Sequence, residues 1–247
     1  MSRTDVTIPT PDGDARAFVF TPESGEGPWP AVIFYMDGPA IRPALFEMGQ
    51  RLADAGYYVL LPDMFWRAGP YEPIVMANIK TDEDRRAFFG KLFPSTSPEK
   101  AMSDTGAFLA FLDKQPQVKG AKVGVTGYCM GGAMVLRAAG TYPDRIAAGG
   151  AFHGGNLATD APDSPHLLAP KMKAKLLVAG ADEDKGFDDA QCERLDQALK
   201  AAGVDAEVTI YRGARHGYAP KDMPVYNEDA AERHWRELIA LFDSVLK

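Results

Sequence analysis

Short apolar runs that each hand over to a helical segment recur along this chain, and that alternation restricts its fold more than any other feature. Ala31–Met36 is such a run, and Pro43–Ala55 then carries Leu45, Met48, Leu52 and Ala53 at helical spacing until Gly56 stops the helix. Tyr57–Leu61 is the next run. Lys122–Thr126 leads into a helix over Gly131–Tyr142, Ile146–Phe152 into a loop, and Leu176–Ala179 into a helix over Ala190–Ala202. Ala206–Tyr211 precedes a closing amphipathic helix over Glu228–Leu246, and Ser97-Pro98 reads as the N-cap and first residue of a helix through Phe108, Leu109 and Leu112. Thr4–Ile8 and Arg16–Thr21 come before the alternation and read as an antiparallel edge. The pattern predicts an α/β fold with a mostly parallel sheet and helices on both faces. Ligands of such sheets bind outside the carboxyl ends of the strands, so the residues just after each strand carry the functional information.

No repeat, low-complexity stretch or linker divides the sequence, so residues 1–247 are expected to form one domain. With 247 residues, 46% of them hydrophobic, the chain can build one full core without a metal or disulfide. Its 34 acidic against 27 basic side chains, a net charge of −7, create no positive field for phosphate backbones or anionic lipid, so neither nucleic acid nor membrane is an expected partner. No apolar run approaches the ~18 residues of a membrane span, and the polar start Met1-Ser-Arg-Thr-Asp5 is unlike a signal peptide, which together imply a cytoplasmic location. The two cysteines, Cys129 and Cys192, make neither a disulfide framework nor a zinc pattern, and no metal or cofactor is expected.

Gly127-Tyr-Cys-Met-Gly-Gly132 follows a strand and opens a helix, the context of a nucleophile elbow with Cys129 where serine usually stands. Small flanking residues suit a tight strand-to-helix turn, and the helix N-terminus offers N–H groups to an anion. The alternative is a buried cysteine in a glycine-rich turn; Cys192, inside a helical run, reads as packing. Of four histidines, His216 in the loop after the last strand is best placed to act as a base, while His153, after Phe152, also belongs on the active face. His166 sits in a proline-bounded loop and His234 on the last helix. The chain order nucleophile, acid, histidine then calls for a carboxylate from Gly180-Ala-Asp-Glu-Asp184.

The elbow, the aspartate loop and the late His216-Gly-Tyr218 together resemble the dienelactone hydrolase family of α/β-hydrolases, over nearly the whole chain. Members carry Gly-Tyr-Cys-Leu-Gly-Gly at the elbow, and an acid followed three positions later by Val or Phe and then Pro. That spacing selects Asp184, with Phe187, and leaves Asp182 as second choice; Asp188 stands where the family has proline. The resemblance implies an oxyanion hole formed by the N–H groups of Gly38 and Met130. It also makes Asp37 the counterpart of a family glutamate that contacts the resting cysteine and controls the thiol. Of two family arginines that bind a substrate carboxylate, Arg86 matches one, with Arg85 its competitor, and Pro220 replaces the other, with Lys221 beside it. Tyr128 and His153 complete the substrate-binding candidates, and the aromatic segment 64–80, with Trp66 and Tyr71, is a candidate lid.

These readings lead to a hydrolase of a small activated ester or lactone, working through a Cys129–His216–Asp184 triad and an acyl-thioester. Two other classes stay open: a ligand-binding member of the fold without turnover, and a thiol redox protein using Cys129. The sequence leaves the oligomeric state and the physiological substrate undetermined.

Overall fold

The computed structural model describes residues 2–247. β1 (Arg3–Thr10) and β2 (Gly13–Phe20) pair as an antiparallel hairpin, with Thr10 opposite Gly13, and β2 runs antiparallel to β4 (Tyr58–Pro62). From there every neighbouring pair is parallel. β3 (Trp29–Tyr35), β5 (Val118–Tyr128), β6 (Ile146–Phe152), β7 (Lys175–Ala181) and β8 (Ala206–Tyr211) complete one eight-stranded sheet of order β1-β2-β4-β3-β5-β6-β7-β8. The chain moves outward from β3 to β4, then returns across β3 to β5 and continues the other way. The crevice between the carboxyl ends of β3 and β5 is therefore the switch point of the sheet, where ligands of open α/β sheets bind.

Helices cover both faces, as the alternation predicted. On β6, a Cβ at Gly149 would come within 2.9 Å of Val135, in α4 (Met130–Thr141), and one at Gly150 within 2.5 Å of Leu238, in α6 (Glu228–Leu246). Adjacent residues of a strand face opposite sides, so α4 and α6 lie on opposite faces. α1 (Pro43–Asp54) joins α6, where Arg51 binds Glu232 with two bonds of 2.7 and 2.6 Å and lies 4.8 Å from the Trp235 ring centre. α3 (Pro98–Leu112) packs beside α4, and α5 (Asp189–Ala201) against β8. The strands β3 and β4 are buried along nearly their whole length, consistent with a sheet covered on both sides. Among the described residues no helix is long and apolar enough to cross a membrane.

One helix has no counterpart in the apolar alternation: α2 (Asp82–Leu92), of which only Leu92 is buried. A helix with so little core contact leaves a weak periodic signal. Its legible mark is the capping box, in which Thr81 Oγ1 accepts from Asp84 N–H at 3.1 Å and Asp84 Oδ2 from Thr81 N–H at 2.9 Å. β5 also begins four residues before the expected Lys122, because Val118 pairs with Trp29 across an irregular register that no alternation marks.

The segment after β4 is tied down by buried carboxylates. Arg67 binds Asp104 of α3 with both terminal nitrogens, at 2.7 and 2.8 Å, and Trp66 Nε1 donates to the same carboxylate at 3.0 Å. Tyr71 donates to Asp63 at 2.7 Å, and Asp63 in turn accepts from Arg16 at 2.8 Å. Asp104 is wholly buried and Arg67 is the cation that meets it, whereas Arg67 also binds Asp12 at 2.7 and 3.0 Å, so removing the arginine strands the buried carboxylate. Arg67→Ala, which leaves buried Asp104 without its cation, is expected to destabilise the fold by about 3–5 kcal/mol, read as a lower midpoint in denaturant unfolding.

Candidate active site

β5 ends at Tyr128 and α4 begins at Met130, leaving Cys129 alone in the turn with φ 55° and ψ −115°. For a residue with a side chain this is a strained conformation, costing of order 1–3 kcal/mol. Two backbone bonds hold it, Cys129 N–H to Phe152 O at 3.1 Å and Gly132 N–H to Cys129 O at 3.0 Å. The glycines of the motif follow from the closeness of the backbone. A Cβ at Gly127 would lie 2.2 Å from Gly131 O, and one at Gly131 only 2.4 Å from Tyr35 O, at the end of β3. No side chain fits either position. The same approach sets the start of α4, and with it Cys129 and Met130, beside the end of β3. Met130 N–H, at the first position of a helix, has no partner within α4.

His216 and Asp184 arrive from the loops after β8 and β7. His216 Nδ1 is 2.6 Å from Asp184 Oδ2, and Asp184 Oδ1 accepts from Gly186 N–H at 2.8 Å. With Nδ1 so engaged, the other ring nitrogen is left free, and His216 and Cys129 line the same cavity. Asp182 points elsewhere, bound to Arg212 at 3.0 Å and to Gly213 N–H at 2.9 Å. Asp188, where the family has proline, caps α5 by accepting from Gln191 N–H at 2.9 Å and leaves the Asp184 loop undisturbed. Burial works against a charge on His216, but its interactions with Asp184 and Cys129 outweigh it and push the imidazole up to about 10. Burial likewise opposes ionisation of Asp184, and the bonds from His216 and Gly186 hold it below the ordinary carboxylate value.

Asp37 follows β3, as expected, but it does not rest against the thiol. Both its oxygens are taken by Arg42, at 2.6 and 2.9 Å, and Arg42 is held from its other side by Asp222 at 2.6 and 3.2 Å and by Ala40 O at 3.1 Å. Arg42 is 1% exposed. A carboxylate bound bidentately in this way is not free to act on sulfur. Nothing local in the sequence marks Arg42, which precedes α1, or Asp222, thirty-eight residues after Asp184, as partners of Asp37.

The candidate substrate residues divide similarly. Arg86 and Arg85 are exposed on α2, outside the cavity at Cys129, and Lys221 lies on a neighbouring groove with Asp222. Tyr128 is fully buried, its hydroxyl 3.0 Å from His234 Nε2. His153 is 1% exposed, with its ring 5.2 Å from that of His216 and 4.9 Å from that of Tyr218. Burial holds His153 well below the usual histidine value, so it forms a neutral wall behind His216 and not a surface for substrate. Trp66 and Tyr71 are spent on Asp104 and Asp63 and do not line the cavity.

That cavity, of about 400 Å³, opens onto Cys129, Met130 and His216. Its far walls come from residues the sequence did not single out, Phe93, Thr96, Pro98 and Arg137 among them. Phe93 covers Gly38, where an added Cβ would be 3.3 Å from its ring, and stacks on Phe89 of α2 with 5.0 Å between ring centres. For Arg137 a signal existed: residues 129, 133 and 137 share one face of a helix. Among the described residues no group of three or more His, Cys, Asp or Glu side chains is placed to hold a metal ion.

The Asp184–His216 contact has a consequence in pH. By NMR, His216 is expected to stay protonated through neutral pH and to titrate near about 10, with a lower midpoint in Asp184→Asn. A histidine raised above its unfolded value of about 6.5 stabilises the fold fully below that pH and loses the contribution as pH rises through the folded value. Asp184, held low, loses its contribution only toward acid. The Tm difference between native protein and Asp184→Asn should therefore shrink as pH rises from about 6.5 to about 10.

The profile of the dienelactone hydrolase family matches residues 15–246. A protein of Methylorubrum extorquens, provisionally named a carboxymethylenebutenolidase, is 27% identical over 237 residues, covering 95% of this chain and 78% of that protein. The crystal structure of a provisionally named dienelactone hydrolase from Klebsiella pneumoniae superposes with a TM-score of 0.84 at 22% identity, over 98% of each chain. That of P91, a dienelactone hydrolase-like promiscuous phosphotriesterase from metagenomic libraries, gives 0.77 at 24% identity over 100% of both. The fold is that of an α/β-hydrolase, and the chain belongs to the dienelactone hydrolase family.

Proposed function

We propose that this protein hydrolyses small activated esters or lactones through a covalent acyl-thioester on Cys129. The observation that carries this reading is the 2.6 Å contact of His216 Nδ1 with Asp184, which fixes the imidazole with its other nitrogen toward a cysteine held on a strand-to-helix turn. Cys129 Sγ attacks the carbonyl carbon, its proton already held on His216. The oxygen gains the electron pair of the carbonyl and is held by Met130 and Gly38 N–H groups. When the tetrahedral species collapses, the bond to the leaving oxygen breaks and His216 returns the proton to it. Water, deprotonated by His216, then attacks the thioester, and the acid departs with Cys129 restored. Asp184 keeps the ring in the required tautomer and stays ionised throughout.

A thiolate leaves a tetrahedral carbon more readily than a simple alkoxide does, so a cysteine enzyme with a plain alkyl ester reverts before the alcohol departs. An enol-lactone or aryl ester, whose leaving oxygen is a weak base, goes forward. Engagement of Asp37 by Arg42 supports a resting cysteine that faces His216 and needs no substrate to move a carboxylate from it. On this reading neutral esters are turned over as well as charged ones.

Cys129→Ala is expected to lower kcat for an activated aryl ester by roughly a thousandfold or more. A short pulse of the same ester should leave an acyl adduct on Cys129 of the native protein, seen by mass spectrometry. Full turnover in the variant overturns the assignment; stoichiometric ligand binding with no adduct favours a binding protein, and an oxidised Cys129 with no adduct favours a redox role.

A further inference from the structure

α4 carries more than the nucleophile's backbone. Its register places Cys129, Ala133 and Arg137 on one face, with Cys129 and Arg137 roughly 12 Å apart along the helix axis at the usual rise per residue. Ala133 contributes only a methyl group between them, so the cavity runs along the helix from the thiol to the guanidinium, bounded by Phe93, Pro98 and Met134. Apart from His216, Arg137 is the only cationic side chain lining it among the described residues.

The guanidinium is incompletely used. Arg42 and Arg67 each meet carboxylates through several short bonds, and Arg145 binds Asp113 at 2.6 and 3.2 Å. Arg137 has a single bond, from Nη2 to Asp163 at 3.3 Å, and that carboxylate is 58% exposed. The other acid nearby, Glu99, accepts from Ser97 at 2.9 Å. A guanidinium has five N–H donors, and the Arg137 side chain is only 16% exposed. Most of its donors therefore stand on a partly dry, largely apolar wall without a hydrogen-bonded anion. Arg86, the family's counterpart, is exposed outside this cavity.

We infer that Arg137 is a specificity-determining residue that binds a carboxylate on the acyl side of the substrate, several methylene groups from the scissile carbonyl. The inference rests on the ester-hydrolase reading above and adds the substrate class: monoesters, or ring-opened equivalents, of extended dicarboxylic acids. Long side chains on a helix lean toward its N-terminus, which aims Arg137 back along the cavity toward Cys129. Carboxylate and guanidinium then meet as a fork pair that a methyl-terminated chain cannot form.

The test compares p-nitrophenyl monoesters of adipic and suberic acid with the hexanoate and octanoate esters. The native protein should prefer the carboxylate-bearing member of each pair in kcat/KM. Arg137→Gln should lower that ratio roughly tenfold to a hundredfold, mainly through KM, and Asp163→Asn, which frees Arg137 from its competing acid, should raise it. A ratio unchanged in both variants overturns the inference while leaving the hydrolase reading intact. Alkylation of Cys129 by maleimides with a carboxyhexyl or a hexyl chain gives the same comparison without turnover. Faster reaction of the carboxylated reagent in the native protein, lost in Arg137→Gln, supports Arg137 as the anchor even where no ester is cleaved; equal relative rates in both proteins refute it.

Discussion

The near-contact of two backbones, Gly131 against the carbonyl of Tyr35, is the constraint around which the rest of this molecule is arranged. β3 and β5 are adjacent parallel strands, and the helix that leaves β5 must pass over the end of β3 to reach the face it covers. It passes so closely that neither Gly127 nor Gly131 has room for a side chain. Cys129 is then left in a positive-φ turn at the rim of the sheet, its strain borne by hydrogen bonds to β6 and to the first turn of α4. Because the approach is made by main chain, the placement of Cys129 and Met130 over the end of β3 follows from the fold and not from any side-chain rotamer.

Buried charge elsewhere follows one rule: each buried carboxylate or guanidinium near the site has a partner. Asp37, Arg42 and Asp222 form a chain that joins the turn after β3, the start of α1 and the loop before α6. An ionic chain of this kind is weak evidence for extra stability, since desolvation offsets most of the attraction, but loss of one member leaves a charge uncompensated. Its role here is placement. It secures the segment that carries Gly38, and it removes Asp37 from the thiol, where the family pattern had put a carboxylate. Behind His216 the solution is different: His153, His234, Tyr128 and Tyr218 pack ring against ring, and burial keeps both histidines neutral. A neutral wall does not compete with Asp184 for the imidazole.

The division of the cavity also has a physical basis. One end is rigid, because Cys129 and Met130 are set by backbone. The other is made by side chains from the segment between α2 and α3, from Pro98 at the start of α3 and from α4, with exposed Phe93 resting on Gly38 and Arg137 two turns along the elbow helix.

The local pattern of the sequence was sufficient to read the parallel sheet, the helices on both faces and the elbow at Cys129, because strand and helix periodicity and close-packed glycines are properties of neighbouring residues. It also narrowed the candidate acid to one loop and the candidate base to His216, since both come just after strands. The choice of Asp184 over Asp182 came from a family spacing; the contact with His216 is a matter of two loops meeting, which spacing alone does not contain. Arg42, Asp222 and Phe93 belong wholly to the tertiary structure, and Arg137 showed in the sequence only as a residue on the helix face of Cys129. Arg42 meets a carboxylate five residues before it and another 180 residues after it, and Arg86, which matched a family position, sits on a helix whose turn faces water. Chain alternation and steric demand at glycine act over a few residues and can be read from them, whereas which charges pair and which cations reach a cavity depend on how separate loops and helices close over the sheet.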